Sequence, residues 1–81
     1  MKVEVLLFAA ARQAAGCEKL VVELSAGANV GQLRSAILAA CPTLSGLLPS
    51  SLVAINHDYA RDDDAIPPDA EIALIPPVSG G

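Results

Sequence analysis

Apolar and polar residues alternate from the second position of the chain. Val3, Val5 and Leu7 fall on one side of an extended segment, and Lys2, Glu4, Leu6 and Phe8 on the other. That two-residue period predicts a strand with one face on a core. The second face begins charged and ends apolar at Leu6 and Phe8, so that end of the strand is expected to be covered. Residues 9–15 (AAARQAA) favour helix by composition, with Gly16 as the stop. Alternation resumes over residues 18–24, where Leu20, Val22 and Leu24 oppose Lys19, Val21 and Glu23. This predicts a second strand, paired with the first as a hairpin whose connection holds the short helix. The stretch Ser25-Ala26-Gly27-Ala28 breaks the pattern. Asn29 and Gln32 then stand at the spacing of a capping box. Val30, Leu33, Ile37, Ala40 and Cys41 recur on one helical face, which puts the main helix at about residues 30–40. Pro42 ends it, and Leu44, Leu47 and Leu48 suggest one more turn before Pro49.

The remainder is strand and turn. Leu52 to Ile55 is a short apolar strand, Asn56-His57-Asp58 a turn, and Tyr59-Ala60-Arg61 a short return. Asp62 to Asp64 is loop, Pro67-Pro68-Asp69 a turn, and Glu71 to Ile75 the last strand. The order strand, strand, helix, strand, short strand, strand fits an α+β domain, a mixed sheet wrapped around one main helix. With the first and last strands adjacent and parallel at the sheet centre, the arrangement is the β-grasp. The apolar character of both strands supports a buried central pair. Another small α+β sheet with the same elements is the alternative.

The last strand runs into Pro76-Pro77-Val78-Ser79-Gly80-Gly81. Pro76 has no N–H to give a ladder, and Pro77 continues an extended direction. The expected organisation is one domain over residues 1–76 and a protruding tail over residues 77–81. At ~3.1 Å per residue, five residues reach about 15 Å. Gly80 and Gly81 carry no side chains, so the tip could enter a narrow channel. Its one functional group would be the Gly81 carboxylate. A plain flexible end is the ordinary alternative.

Composition narrows the classes. The 81 residues are 53% hydrophobic and 17% charged, which fits a single folded domain and argues against disorder. The net charge is −4, with only Lys2, Arg12, Lys19, Arg34 and Arg61 as scattered cations. Without a basic patch, nucleic acid and anionic membrane are poor partners; an acidic body suits a basic partner surface. No stretch has the roughly 18 apolar residues of a membrane span, and the first segment reads as a strand rather than a signal peptide. Cys17 and Cys41 fit no metal or redox spacing. They are expected as reduced thiols of a cytoplasmic protein.

The interior offers little chemistry. His57 stands in a turn with no companion ligand. Asp62–Asp64 lacks the frame and closing Glu of a calcium loop. Neither cysteine has a neighbouring cation or His to activate it. Ser50-Ser51-Leu52 lacks the context of a phosphopantetheine acceptor, and there is no Gly-rich phosphate loop. No metal site is expected. Elimination returns attention to the tail.

Four segments in order, VLLFAAAR at 5–12, NVGQLRSAI at 29–37, VAINHDYA at 53–60 and DAEIALIPPVSGG at 69–81, resemble the small subunit of molybdopterin synthase, a ubiquitin-like β-grasp sulfur carrier. The resemblance covers essentially the whole chain, and the ending PPVSGG is its most specific part. It implies that a ubiquitin-activating-type enzyme adenylates Gly81 with ATP. A sulfur donor protein then converts the adenylate to a thiocarboxylate. The tail, Pro77, Val78, Ser79 and Gly80 leading to Gly81, enters the large subunit of a heterotetramer and delivers sulfur to cyclic pyranopterin monophosphate. It further implies a docking patch at Phe8, Tyr59 and Ile75 and no cofactor bound by this chain. Phe8 as an ordinary core residue is the competing expectation. A thiamine-pathway sulfur carrier, a ubiquitin-like protein modifier and a plain binding module also remain open.

Overall fold

A computed structural model describes residues 1–77; the expectations placed on Val78, Ser79, Gly80 and Gly81 lie outside the described residues. The elements are β1 (Lys2–Leu7), α1 (Ala9–Ala15), β2 (Lys19–Glu23), α2 (Val30–Ala40), β3 (Leu52–Ile55), β4 (Asp58–Ala60) and β5 (Ile72–Ile75). Two 3-10 turns, Pro42–Leu44 and Leu48–Ser50, carry the chain from α2 to β3. The strands form one mixed sheet in the order β2-β1-β5-β3-β4. β1 and β5 are parallel neighbours in the middle, while the β1–β2, β3–β4 and β3–β5 pairs are antiparallel. This is the β-grasp arrangement, with the first and last strands side by side.

The inner sheet face follows the alternation. Val3, Val5, Leu7, Val22, Val53, Ile72 and Leu74 are buried, and they close on Val30, Leu33 and Ile37 of α2 with Leu44 and Leu48 from the 3-10 turns. α2 starts where its capping pair places it. Asn29 Oδ1 accepts from the Gln32 N–H at 2.9 Å, and Gln32 Oε1 accepts from the Asn29 N–H at 2.9 Å, an arrangement worth about 1 kcal/mol. The face departs from expectation at its far end. Ala40 is exposed and Cys41 only half-buried, because Cys41 is already the C-cap with non-helical backbone. Outside the helix, its side chain meets Thr43, with Sγ and Oγ1 3.1 Å apart.

Left-handed backbone turns the chain at several corners, among them Gly16 and the Asn56–His57 pair. Gly16 ends α1 at φ 75°, as glycine readily does. Asn56 and His57, at φ 50° and 76°, form the two-residue turn that matches the twist of a hairpin. The Asn56 N–H donates to the Glu71 carbonyl at 2.8 Å, and Asn56 Oδ1 accepts from the Glu71 N–H at 2.9 Å. The β3–β4 turn is thereby tied to the entrance of β5.

Arg34, one of the scattered cations of the sequence, is a fastener. Its side chain is 21% exposed. Nη1 donates to the Leu48 carbonyl and Nη2 to the Ser51 carbonyl, both at 2.7 Å, and Nε donates to Asp62 Oδ1 at 2.9 Å. One planar fork thus joins α2, the second 3-10 turn and the acidic loop. Arg34→Ala is expected to cost about 2–3 kcal/mol, chiefly from two carbonyls losing charge-assisted donors. Urea denaturation should show a lower midpoint with an unchanged slope. Arg34→Lys should recover only part of the loss, since an ammonium cannot span the three acceptors.

Candidate functional site

The outer sheet face starts from the same alternation read with the opposite parity. Leu6 pairs with Ala73, Ala73 with Ala54, and Ala54 with Tyr59. One row therefore crosses β1, β5, β3 and β4. Leu52 pairs with Ile75 in the next row, and Phe8 follows β1 on the same side as Leu6. Large apolar residues at the ends of these rows and alanines between them leave a hollow. It is a depression of about 290 Å³ lined by Leu6, Phe8, Ala54, Tyr59, Ala73 and Ile75, with His57 and Glu71 at its polar margin.

Phe8, Tyr59 and Ile75, three residues far apart in sequence, thus line one surface. Tyr59 is 70% exposed, Phe8 45% and the flanking Leu52 51%; Ile75 is half-buried. Phe8 is therefore not core. The expectation that the end of β1 is covered is met by no element among the described residues. Local backbone explains why. Phe8 is extended (φ −127°, ψ 154°), and Ala9 turns left-handed at φ 50°. That corner costs an L-residue about 1 kcal/mol. It swings α1 off the end of β1 and leaves the Phe8 ring outside.

A second hollow of about 400 Å³ adjoins the first. Phe8 and Ile75 line it too, together with Ala9, Ala10, Gln13, Pro76 and Pro77. These two side chains separate the depressions. Pro76, buried, and Pro77, exposed, leave the body at that point. The sheet ladder ends at Ile75, where a residue lacking an N–H takes over. Tail root and apolar face are therefore continuous.

The remaining candidates are placed as plainly. His57 is exposed, with Nε2 3.5 Å from Glu71 Oε2. Cys17 is a free exposed thiol and Cys41 a free half-buried one. Ser51 is buried and donates to the Leu47 carbonyl at 2.7 Å. Asp62 holds Arg34, and Asp64 Oδ2 accepts from the Arg61 N–H at 2.8 Å. Among the described residues no group of three or more His, Cys, Asp or Glu could hold a metal ion. No helix among them is long and apolar enough to cross a membrane. Leu52, Ala54 and Ala73 were missed as face residues. Their signal was the alternation of β3 and β5 set in register.

The mixed sheet with its first and last strands paired at the centre defines a ubiquitin-like β-grasp domain, and its outer face carries an exposed apolar patch continuous with the root of the last segment. The family comparison narrows this: the chain belongs to the ThiS family, whose model matches residues 5–81. It is 39% identical to a molybdopterin synthase sulfur carrier subunit of Chlamydomonas reinhardtii, with all of both chains covered. SAMP1 from Haloferax volcanii superposes with a TM-score of 0.86 at 32% identity, again covering 100% of both chains. A chain in the complex of subunits 1 and 2 of the molybdopterin-converting factor from Helicobacter pylori gives 0.70 at 26% identity, with 100% of both chains covered.

Because the face is surface, its truncation should leave the fold intact. Phe8→Ala and Tyr59→Ala are each expected to lower stability by about 1 kcal/mol or less. Leu33→Ala, in the core, should cost about 2–5 kcal/mol. Thermal unfolding of the three variants makes the comparison.

Proposed function

We propose that this chain is the sulfur-carrier subunit of molybdopterin synthase, and that the apolar outer face docks the large subunit while the tail delivers sulfur. The observation that carries this reading is the continuity of the face with the tail root, through Phe8 and Ile75. It stands in a chain alignable end to end with a relative named for that role. The complex of subunits 1 and 2 from Helicobacter pylori supports a large-subunit partner. An acidic chain of net charge −4 suits a basic receiving surface.

The chemistry follows from the group at the tip. A terminal carboxylate has a pKa near ~3.5, is ionised at neutral pH and is a poor electrophile. An adenylating enzyme of the ubiquitin-activating type joins the Gly81 carboxylate to AMP from ATP, releasing pyrophosphate. Sulfur from a donor protein displaces AMP and leaves a thiocarboxylate. Inside the large subunit that sulfur attacks cyclic pyranopterin monophosphate, and hydrolysis of the acyl–sulfur bond returns the Gly81 carboxylate. Two deliveries supply the two sulfurs of the dithiolene. Residues 77–81 act as a spacer, Val78 and Ser79 between the prolines and the glycines. Gly80 and Gly81 admit the tip to a channel that a side chain would block. Docking makes the transfer effectively unimolecular. The chain itself binds no cofactor and no metal in this scheme. It works in the cytoplasm with its large subunit, activating enzyme and sulfur donor.

Likeness to SAMP1 of Haloferax volcanii, which a second solved structure names a small archaeal modifier protein, favours a second reading, a modifier joined to lysines through the same terminus. Isopeptide-linked conjugates in cell extract would mark it.

Docking and delivery should separate. Phe8→Asp combined with Tyr59→Asp is expected to weaken binding to the large subunit by about tenfold or more, with the circular dichroism spectrum unchanged. Deleting Gly81 should leave that affinity within about twofold yet abolish sulfur transfer. Transfer by the shortened chain would overturn the proposal.

A further inference from the structure

Strand β2 is an edge of the sheet, paired only with β1 among the described residues. Its backbone phase is fixed at both ends of the ladder. The Leu7 N–H donates to the Glu18 carbonyl at 2.9 Å, and the Leu24 N–H to the Met1 carbonyl at 2.8 Å. Hydrogen-bonded pairs alternate along an antiparallel ladder. Residues 18, 20, 22 and 24 therefore turn their backbone groups toward β1. Lys19, Val21 and Glu23 turn theirs outward, away from the sheet. Such an edge is a template for another strand. Val21 is also 53% exposed.

We propose that this edge pairs with the same edge of a second copy, antiparallel about Val21. In that register Val21 faces Val21 of the second copy, and Lys19 faces Glu23 at both ends. Every outward N–H and C=O of the three residues then meets a partner, six hydrogen bonds in all by the alternation rule. The charges read consistently across the joined sheet. Lys2 already lies beside Glu23 within the chain, and Lys19 of the second copy would flank Glu23 from the other side. A parallel pairing would set Lys19 against Lys19, and a two-residue slip in either direction would break both Lys19–Glu23 pairs, setting one of these charges opposite Val21 and the other opposite Cys17 or Ser25. Like charges directly opposite oppose pairing, whereas opposite ones support it. Lys19 and Glu23 have present partners, Glu4 Oε2 at 3.3 Å and the Met1 nitrogen at 3.2 Å. Lys19, Glu4 and Glu23 are exposed, and ion pairs of this kind are worth little. Five residues of edge give a small interface, so the dimer is weak and concentration-dependent. β4, the other edge, has three residues and offers no comparable run. The docking depression reaches from β1 to β4 and stays open in the dimer.

Sedimentation equilibrium of the full chain at low salt, up to about 1 mM, tests this. The wild-type mass should climb from 8.2 kDa toward twice that value. Lys19→Glu and Glu23→Lys, each placing like charges opposite, should weaken association by about tenfold or more. An equimolar mixture of the two variants should associate again, because one then carries two acids and the other two bases. A wild-type chain that stays at 8.2 kDa throughout, single variants that associate like wild type, or a mixture that fails to associate would each overturn the proposal.

Discussion

The parallel pairing of β1 with β5 is the constraint on which the rest depends. It seats the last strand in the sheet centre, between the two hairpin arms, with Ile72 and Leu74 fully buried. A central strand is held on both edges and from below by α2, so its end is among the best fixed points of a small domain. Pro76 and Pro77 begin there. The chain therefore leaves the sheet from a well-fixed origin, through two residues that favour an extended backbone. A terminal segment leaving a sheet edge would lack such an origin.

The same pairing makes the two faces of the sheet unequal. Inward residues meet α2 and the 3-10 turns, while outward residues of β1, β5, β3 and β4 line an open depression. Alanines at 54 and 73 keep the centre of the outer face low. Phe8 is left standing by the turn at Ala9, and Tyr59 by its place on the edge hairpin. Leaving Phe8, Leu52 and Tyr59 in water forgoes stabilisation within the chain, and on the proposed function that surface is kept for a partner. Phe8 and Ile75 line both the outer-face depression and the hollow at the tail root, which is why the proposed function treats tail and face as one device.

Much of this was legible in the residues, for reasons that differ from place to place. The period-two runs at 3–7 and 20–24 and the capping pair Asn29–Gln32 are local signals, and each element formed where they stand. The oddity at Phe8 was visible as an apolar residue on a polar face. Whether it faced core or solvent turned on the Ala9 corner, which composition does not encode. Leu52, Ala54 and Ala73 join the site only through strand register, a long-range property. Arg34 resisted for the same reason: its acceptors at Leu48 and Ser51 are backbone carbonyls, and no side-chain pattern announces them. Helical spacing puts Cys41 on the inner helix face, but it is already the C-cap and only partly buried against the core.

The central claim is that the Gly81 carboxylate is loaded with sulfur and unloaded again. Its most direct measurement is the intact mass of the chain after incubation with an adenylating enzyme, ATP and a sulfur donor. The account predicts the mass change of one oxygen replaced by one sulfur, confined to the C-terminal peptide and reversed after turnover with the large subunit and cyclic pyranopterin monophosphate. A chain that forms lysine-linked conjugates but never the sulfur-bearing species, or that supports synthesis with its mass unchanged throughout, would contradict it.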